Sequence, residues 1–314
     1  MRSAIIMAAG KGTRMKSDKP KVLHEILHEP MVGIVLSSLK EAGAQKIVTV
    51  VGFQHELVEE RLKDQCLFAL QEPQQGTGHA VMQARQLSED TGLTLIASGD
   101  CPCVRSETYA MLYEEGEKAD LTILTAVPDD ARAYGRVIRN ADGSVKKIVE
   151  FKDANEEERA VKEINTGIYV FNTEVLFKYL PEISDENAQH EYYLTDMVEI
   201  LLKHGHSVRA AACEEWKEVQ GVNSNLELSE ASAYLQERIN TAWMEQGVTL
   251  ADPKTAYIGP YVRIGKDCTV YPDTFLYGHT VLEDGVTVLP CTVVCDSTVP
   301  VSKTVGPLAN IMDK

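Results

Sequence analysis

The chain opens on an apolar run, Ala4-Ile-Ile-Met7, which predicts a strand that stops at the small residues Ala8, Ala9 and Gly10. Val32, Val35, Leu36 and Leu39 then recur at helical spacing, predicting a helix over 31–42 closed by Gly43. A β-branched run at 46–51 predicts a second strand, and apolar stretches at 66–70 and 93–97 predict two more. Helical patterns at 56–62 and 79–87 separate them. Strand and helix therefore alternate over the first part of the chain, which is the pattern of right-handed βαβ units on a mostly parallel sheet. Ligands of such sheets bind beyond the carboxyl ends of the strands. Three polar segments fall at such ends: residues 8–21, the loop 71–78, and Gly99-Asp100.

The middle of the chain is mixed. Strand-like segments at 121–126, 135–139, 144–150 and 166–171 alternate with polar loops, and the acid-rich stretch 153–163 reads as a solvated loop. Helical patterns near 172–180 and 194–203 precede a strand at 207–212. Leu228, Ala231, Leu235, Ile239 and Ala242 then predict one amphipathic helix of about five turns over 226–245. Beyond it the period changes to six. Ile258, Ile264, Val270, Leu276, Leu282, Val288 and Val294 are in phase, each preceded by two positions by a small or β-branched residue (Ala256, Val262, Cys268, Thr274, Thr280, Val286, Thr292). Such a repeat predicts a parallel β-helix with aliphatic side chains stacked in columns. The phase fails at Pro300, which leaves seven hexads, a little over two coils. The expected division is an α/β domain at 1–225, a linker helix at 226–247 and a short β-helix at 248–314.

Composition narrows the chemistry. The 314 residues carry a formal net charge of −16, which argues against nucleic acid or an anionic membrane surface as partner. No apolar stretch is long enough to span a bilayer, and Met1-Arg-Ser runs straight into the first strand with no secretory pattern. Seven scattered cysteines fit a reduced cytoplasm, and Cys101, Cys103, Cys291 and Cys295 read as small hydrophobes rather than metal ligands. Against the acidic background, Lys11, Arg14, Lys16, Lys19 and Lys21 crowd one short segment opposed only by Asp18. Gly10 and Gly12 are expected to supply the permissive backbone that turns successive N–H groups into one concavity. A strand leading into a glycine-rich cationic turn suits a nucleoside triphosphate; the plainer reading is a tight turn with a solvated basic loop. Asp100 is suited to Mg²⁺, which takes one or two carboxylates plus phosphates and water, or else to capping a turn. Asn223 is a second oxygen ligand or a turn residue.

Taken in order, the motifs are Met7-Ala-Ala-Gly-Lys-Gly-Thr-Arg-Met15, Lys19-Pro-Lys-Val-Leu23, Gln71 with Gly76-Thr-Gly-His-Ala80, Gly99-Asp100, Tyr134-Gly-Arg136, Ile148-Val-Glu150, Glu163-Ile-Asn-Thr-Gly-Ile168, Glu191-Tyr-Tyr-Leu-Thr-Asp196 and Gly221-Val-Asn223. In these the chain resembles the bifunctional N-acetylglucosamine-1-phosphate uridyltransferase / glucosamine-1-phosphate acetyltransferase family of bacterial cell-wall precursor synthesis, almost continuously over residues 2–299. The resemblance implies a Rossmann-like nucleotidyltransferase domain with a mostly parallel mixed sheet, then the linker helix and a short left-handed β-helix of hexapeptide repeats. It implies Mg²⁺-dependent uridylyl transfer from UTP to N-acetylglucosamine 1-phosphate, releasing pyrophosphate. Ala8, Ala9, Gly10, Gln71, Gly76 and Thr77 would hold the uracil and ribose. Arg14 and Lys21 would grip the phosphates, Asp100 and Asn223 the metal, and Gly135, Glu150, Asn165 and Thr195 the sugar.

Three departures stand out. Cys101 and Cys103 replace the family's usual residues after Gly-Asp, and an arginine usual after the Asn-Asn pair is absent at Asn223-Ser-Asn225. The family's β-helix is several times longer and holds its acetyltransferase site in later coils, so acetyl transfer is expected to be absent here. The resemblance implies a homotrimer through the β-helix, with a monomer as the alternative. The competing functions are another sugar-1-phosphate nucleotidylyltransferase, or a non-catalytic nucleotide-sugar sensor or assembly subunit. A decayed site should have lost Arg14, Lys21, Asp100 or Asn223, and all four are present.

Overall fold

A computed structural model of the chain describes residues 1–312. Residues 313 and 314, the end of the expected β-helix segment, lie outside the described residues. The chain forms two compact units, one of Met1–Leu23 with Met31–Asn223, the other of His24–Pro30 with the chain from Ser224 onward.

The first unit is built on a nine-stranded sheet. Arg2–Met7 lies at its centre, parallel to Lys46–Val51 on one side and to Leu93–Ser98 on the other. Leu67–Leu70 extends one edge in parallel, and Val208–Ala212 closes the other against Leu121–Ala126. Ile164–Asn172 runs antiparallel between Leu93–Ser98 and Leu121–Ala126, so the sheet is mixed though mostly parallel. The hairpin Arg136–Arg139 with Val145–Val149 joins at Ile164, opposite Arg136.

Both faces of this sheet are covered, which is why its central strands read as unbroken apolar runs rather than alternating ones. Ala4 and Ile6 join one core with Val32, Leu36 and Leu39 of the helix Met31–Glu41, while Ile5 joins the other with Ala80 and Val81 of Thr77–Gln83. The first face also carries the helix Ser106–Gly116, whose Tyr109, Leu112 and Tyr113 are fully buried; the hydrophobic reading of the chain had assigned nothing there. Two further expectations change. The helix expected over 79–87 starts at Thr77 and ends at Gln83. The acidic loop 153–163 contains one helical turn, Glu156–Arg159, nucleated by a capping box between Asn155 and Glu158.

The second unit holds the helix Asn225–Glu245, capped by the Ser224 hydroxyl, which accepts from Glu227 N–H. Three short parallel sheets follow, the faces of a left-handed β-helix. All seven predicted hexad positions are buried in one core. The break in phase at Pro300 is not the end of the repeat. Ala256 pairs with Thr274 and Phe275 with Val293, each eighteen residues on, but Val281 pairs with Thr298 and Val293 with Asn310, seventeen on. One residue is missing from the coil around Asp296, whose left-handed backbone (φ 48°) and the buried Ser297 make the shorter corner. The column resumes one position early, with Val299 buried and Val305 and Ile311 packed against the same core. The coils therefore run on to residue 312, beyond the seven hexads counted in sequence. The strands Glu25–Ile26 and Glu29–Pro30 form a small hairpin in this unit, and the His28 ring stacks on Tyr277 at 5.0 Å.

Candidate active site

The central strand Arg2–Met7 ends by handing its ladder to the turn, since Ala8 N–H donates to Val50 at 2.8 Å. Ala8 and Ala9 are buried and small, and they leave the backbone open at the strand ends. Gly12 has the expected left-handed backbone (φ 63°), and a Cβ there would lie 2.5 Å from Lys21 Cβ. Its glycine is required twice, by conformation and by the stem of Lys21 lying across it. Gly10 does not share this role: its φ is not positive, and the space around it is open.

Lys21 reaches the carboxyl end of Leu93–Ser98. Its ammonium is bound by Asp100 Oδ2 and by Asn223 Oδ1 at 3.0 Å, an arrangement with both charged side chains largely buried. Asn223 is set by its own segment, in which Val222 N–H donates to the Asp100 carbonyl at 2.9 Å and Gly221 N–H donates to the Tyr134 hydroxyl at 3.1 Å. Upstream, buried Glu218 accepts from Arg105 N–H at 2.9 Å and from the Thr108 hydroxyl, pinning the same segment to the start of Ser106–Gly116. One carboxylate oxygen and one amide oxygen thus converge on a single point that already holds positive charge. That donor set, hard and oxygen-only, fits a small divalent cation completed by phosphate oxygens and water. Among the described residues no cluster of three or more His, Cys, Asp or Glu could hold a metal by itself.

The loop 71–78 closes one side of a cleft of about 280 Å³ whose walls include Ala8, Ala9, Gly10, Lys21, Gln71, Gly76, Thr77 and Asp100. Gly76 has φ 105°, and a Cβ there would strike the Tyr192 carbonyl. The loop is laced to the segment 191–195: Tyr192 N–H donates to Gln75 at 2.8 Å, Gly78 N–H to Tyr192 at 2.7 Å, and Leu194 N–H to the Thr77 hydroxyl at 3.1 Å. Eight predicted residues therefore meet in one cleft, and Asn223 meets them through Lys21. Arg14 does not. It is exposed on the short turn Thr13–Met15, outside the cleft walls, with Lys16 likewise exposed and Lys11 lying over the Phe53 ring.

Gly135, Glu150, Asn165 and Thr195 gather in a second group. The Thr195 hydroxyl donates to Glu150 at 3.4 Å, and a Cβ on Gly135 would touch both Glu150 carboxylate oxygens at 3.5 Å. Asn165 N–H donates to the Gly135 carbonyl at 2.9 Å, and the Asn165 amide donates to the Tyr169 hydroxyl at 2.7 Å. Burial raises the Glu150 carboxyl above its ordinary range, with Asp153, Asp196 and Glu191 adding repulsion against the one hydrogen bond from Thr195. Asp196 is pushed up to about 6, first by burial and then by Glu199 and Asp153. Glu191 belongs to both groups, because it also lines the cleft. Of the departures, Cys101 is buried with its thiol held well above its ordinary range by desolvation and by Asp100, so it behaves as a small neutral side chain beside the carboxylate.

Tyr134 and His79 stand within the sequence motifs but were given no role by sequence; their contacts, Tyr134 with Gly221 and His79 with Gln71, supply one. Comparison with known proteins agrees with the architecture. The model of the nucleotidyl transferase family matches residues 3–238. Among curated proteins, the Bifunctional protein GlmU of Bacillus velezensis is 48% identical over 301 residues, covering 95% of this chain and 66% of its own. That of Levilactobacillus brevis is 49% identical over 284 residues, covering 90% of this chain and 62% of its own. The chain thus spans just under two thirds of the length of these relatives. A solved structure from Bacillus anthracis, assigned as a glucose-1-phosphate thymidylyltransferase and holding a sucrose, superposes with a TM-score of 0.60 at 21% identity over 74% of this chain and 95% of its own, a likeness of fold. With the family model spanning most of its length, the chain belongs to the nucleotidyl transferase family.

Proposed function

We propose that the protein transfers a uridylyl group from UTP to N-acetylglucosamine 1-phosphate, giving UDP-N-acetylglucosamine and pyrophosphate. The observation that carries the reading is the Lys21 ammonium held between Asp100 and Asn223, with Lys21 and Asp100 in the wall of a cleft that Gly10 and Gly76 also line. An oxygen of the sugar phosphate attacks the α-phosphorus of UTP in line. The new P–O bond forms as the bond to the α,β-bridging oxygen breaks, and that electron pair leaves with pyrophosphate. The attacking phosphate is already ionised, so no side chain has to remove a proton. Catalysis then consists of positioning and of neutralising phosphate charge. Lys21 supplies a fixed cation, and Arg14, exposed on the turn Thr13–Met15, would supply a second one by reaching toward the phosphates.

Asp100 and Asn223 would hold Mg²⁺, which when bound polarises the phosphoryl oxygens and neutralises charge on the leaving group. Backbone groups of residues 8–10, Gln71, Gly76 and Thr77 orient the nucleoside. Gly135, Glu150, Asn165 and Thr195 receive the sugar hydroxyls and acetamide, with Glu150 accepting. The test is pyrophosphate release from UTP and N-acetylglucosamine 1-phosphate, run beside dTTP and glucose 1-phosphate. Asp100→Ala is expected to lower the rate by on the order of a hundredfold or more. Normal turnover in that variant removes Asp100 from the mechanism. Incubated with glucosamine 1-phosphate and acetyl-CoA, the 314-residue chain is expected to release no free thiol. A cytoplasmic homotrimer is part of the same reading, and sedimentation at micromolar concentration separates trimer from monomer.

A further inference from the structure

Gln71 is almost wholly buried, and its amide is held at two points. Nε2 lies 2.9 Å from the Gly76 carbonyl, which can only accept, so this end of the amide carries the hydrogens. The second hydrogen points at His79 Nδ1, 3.2 Å away. Both acceptors are themselves fixed. Gly76 lies between Gln75 and Gly78, which are both hydrogen-bonded to Tyr192, and accepts from Ala80 N–H, while His79 stands on the helix Thr77–Gln83 with its ring beside Tyr192. With both hydrogens occupied, the group Gln71 can offer to a ligand in the cleft is its carbonyl oxygen. We infer that His79 is a positioning residue: it keeps Gln71 a pure hydrogen-bond acceptor and so selects a pyrimidine that presents a ring N–H, as uracil does, over cytosine, whose ring nitrogen is itself an acceptor.

This rests on the uridylyl-transfer reading only in naming the nucleotide. A buried site arranged to receive a donor rejects the analogue that lacks it, because two acceptors then face each other without water. Removing the His79 acceptor leaves the Gln71 amide held by the Gly76 carbonyl alone, so that it can turn and present its N–H side to a cytosine ring nitrogen. The selection should therefore narrow from both directions, UTP binding more weakly and CTP more strongly.

The experiment is calorimetric titration of UTP and CTP into the wild type, His79→Leu and His79→Asn. Asparagine places a carbonyl oxygen near the Nδ1 position, whereas leucine fills similar space without an acceptor. The expected result is a UTP preference in the wild type, a fall in the CTP-to-UTP ratio of Kd values by about tenfold in His79→Leu, and a ratio near the wild-type one in His79→Asn. If the leucine variant does not fold, His79→Ala carries the same expectation. An unchanged ratio in the variant lacking the acceptor, or no UTP preference in the wild type, overturns the inference. The pyrophosphate assay on the wild type judges the transfer reading separately, because the Kd ratio needs no turnover.

Discussion

Lys21 shows how tightly one side chain depends on its neighbours. Its stem occupies the space a Cβ on Gly12 would take, and its ammonium closes the gap between Asp100 and Asn223. Lys21→Met should leave the fold intact by circular dichroism while lowering kcat/KM for UTP by about a hundred- to a thousandfold, the usual loss when a fixed charge at a transferring group is removed. Gly12→Ala should reach a similar defect indirectly, by strain at φ 63° and displacement of the lysine stem, with KM for UTP rising as well. Asp196 gives a pH prediction. With its pKa raised to about 6, the native chain keeps a proton between roughly pH 4 and 6 that the unfolded chain has lost. Its contribution to stability therefore falls as pH rises through that window, and the ionised group is a burden above it. Asp196→Asn should raise Tm more at pH 8 than at pH 4.5; an equal gain at both would show that the titration does not matter. At this scale the backbone expected of Gly12 is found and that expected of Gly10 is not, and Asp100 lies in the cleft wall while Arg14 lies outside it, because a φ angle and a side chain's direction are set by contacts remote in sequence.

Elements were legible where a period ran long enough. The hexad columns are the clearest case, since stacking the same side chain every coil writes the geometry into the sequence. What the period concealed was the coil that is one residue short, which merely looks like an end when read along the chain. The helix Ser106–Gly116 had a signal in Tyr109, Leu112, Tyr113 and Gly116, spaced as one helical face, but a weakly amphipathic segment whose apolar residues run together at 109–113 gives little contrast. The lacing of residues 75–78 to 192–194 had no signal, because its donors and acceptors are mostly backbone. Within the β-helix core, Leu276→Ala should destabilise the second unit by about 2–5 kcal/mol, as for other buried leucines. Scanning calorimetry would show it as an earlier transition for that unit, and an unshifted thermogram would argue that the column tolerates the void.

At the scale of the whole molecule, a net charge of −16 disfavours polyanions, and the cleft wall carries the cation Lys21 together with the carboxylates of Asp100 and Glu191. No helix among the described residues is long and apolar enough to cross a membrane. The two units are not consecutive in sequence, since residues 24–30 leave the first, belong to the second, and return. For anyone cutting or fusing this chain, the consequence is topological. A boundary at residue 225 looks clean on paper, yet it strands the hairpin: Leu27 loses Gly259 and His28 loses the ring it stacks on. A 1–225 fragment should accordingly bind a dye for exposed apolar surface, and the same fragment with 24–30 replaced by a short polar linker should bind much less. The gene is a line along which the segments of the two units alternate, and a modular swap has to exchange both pieces together.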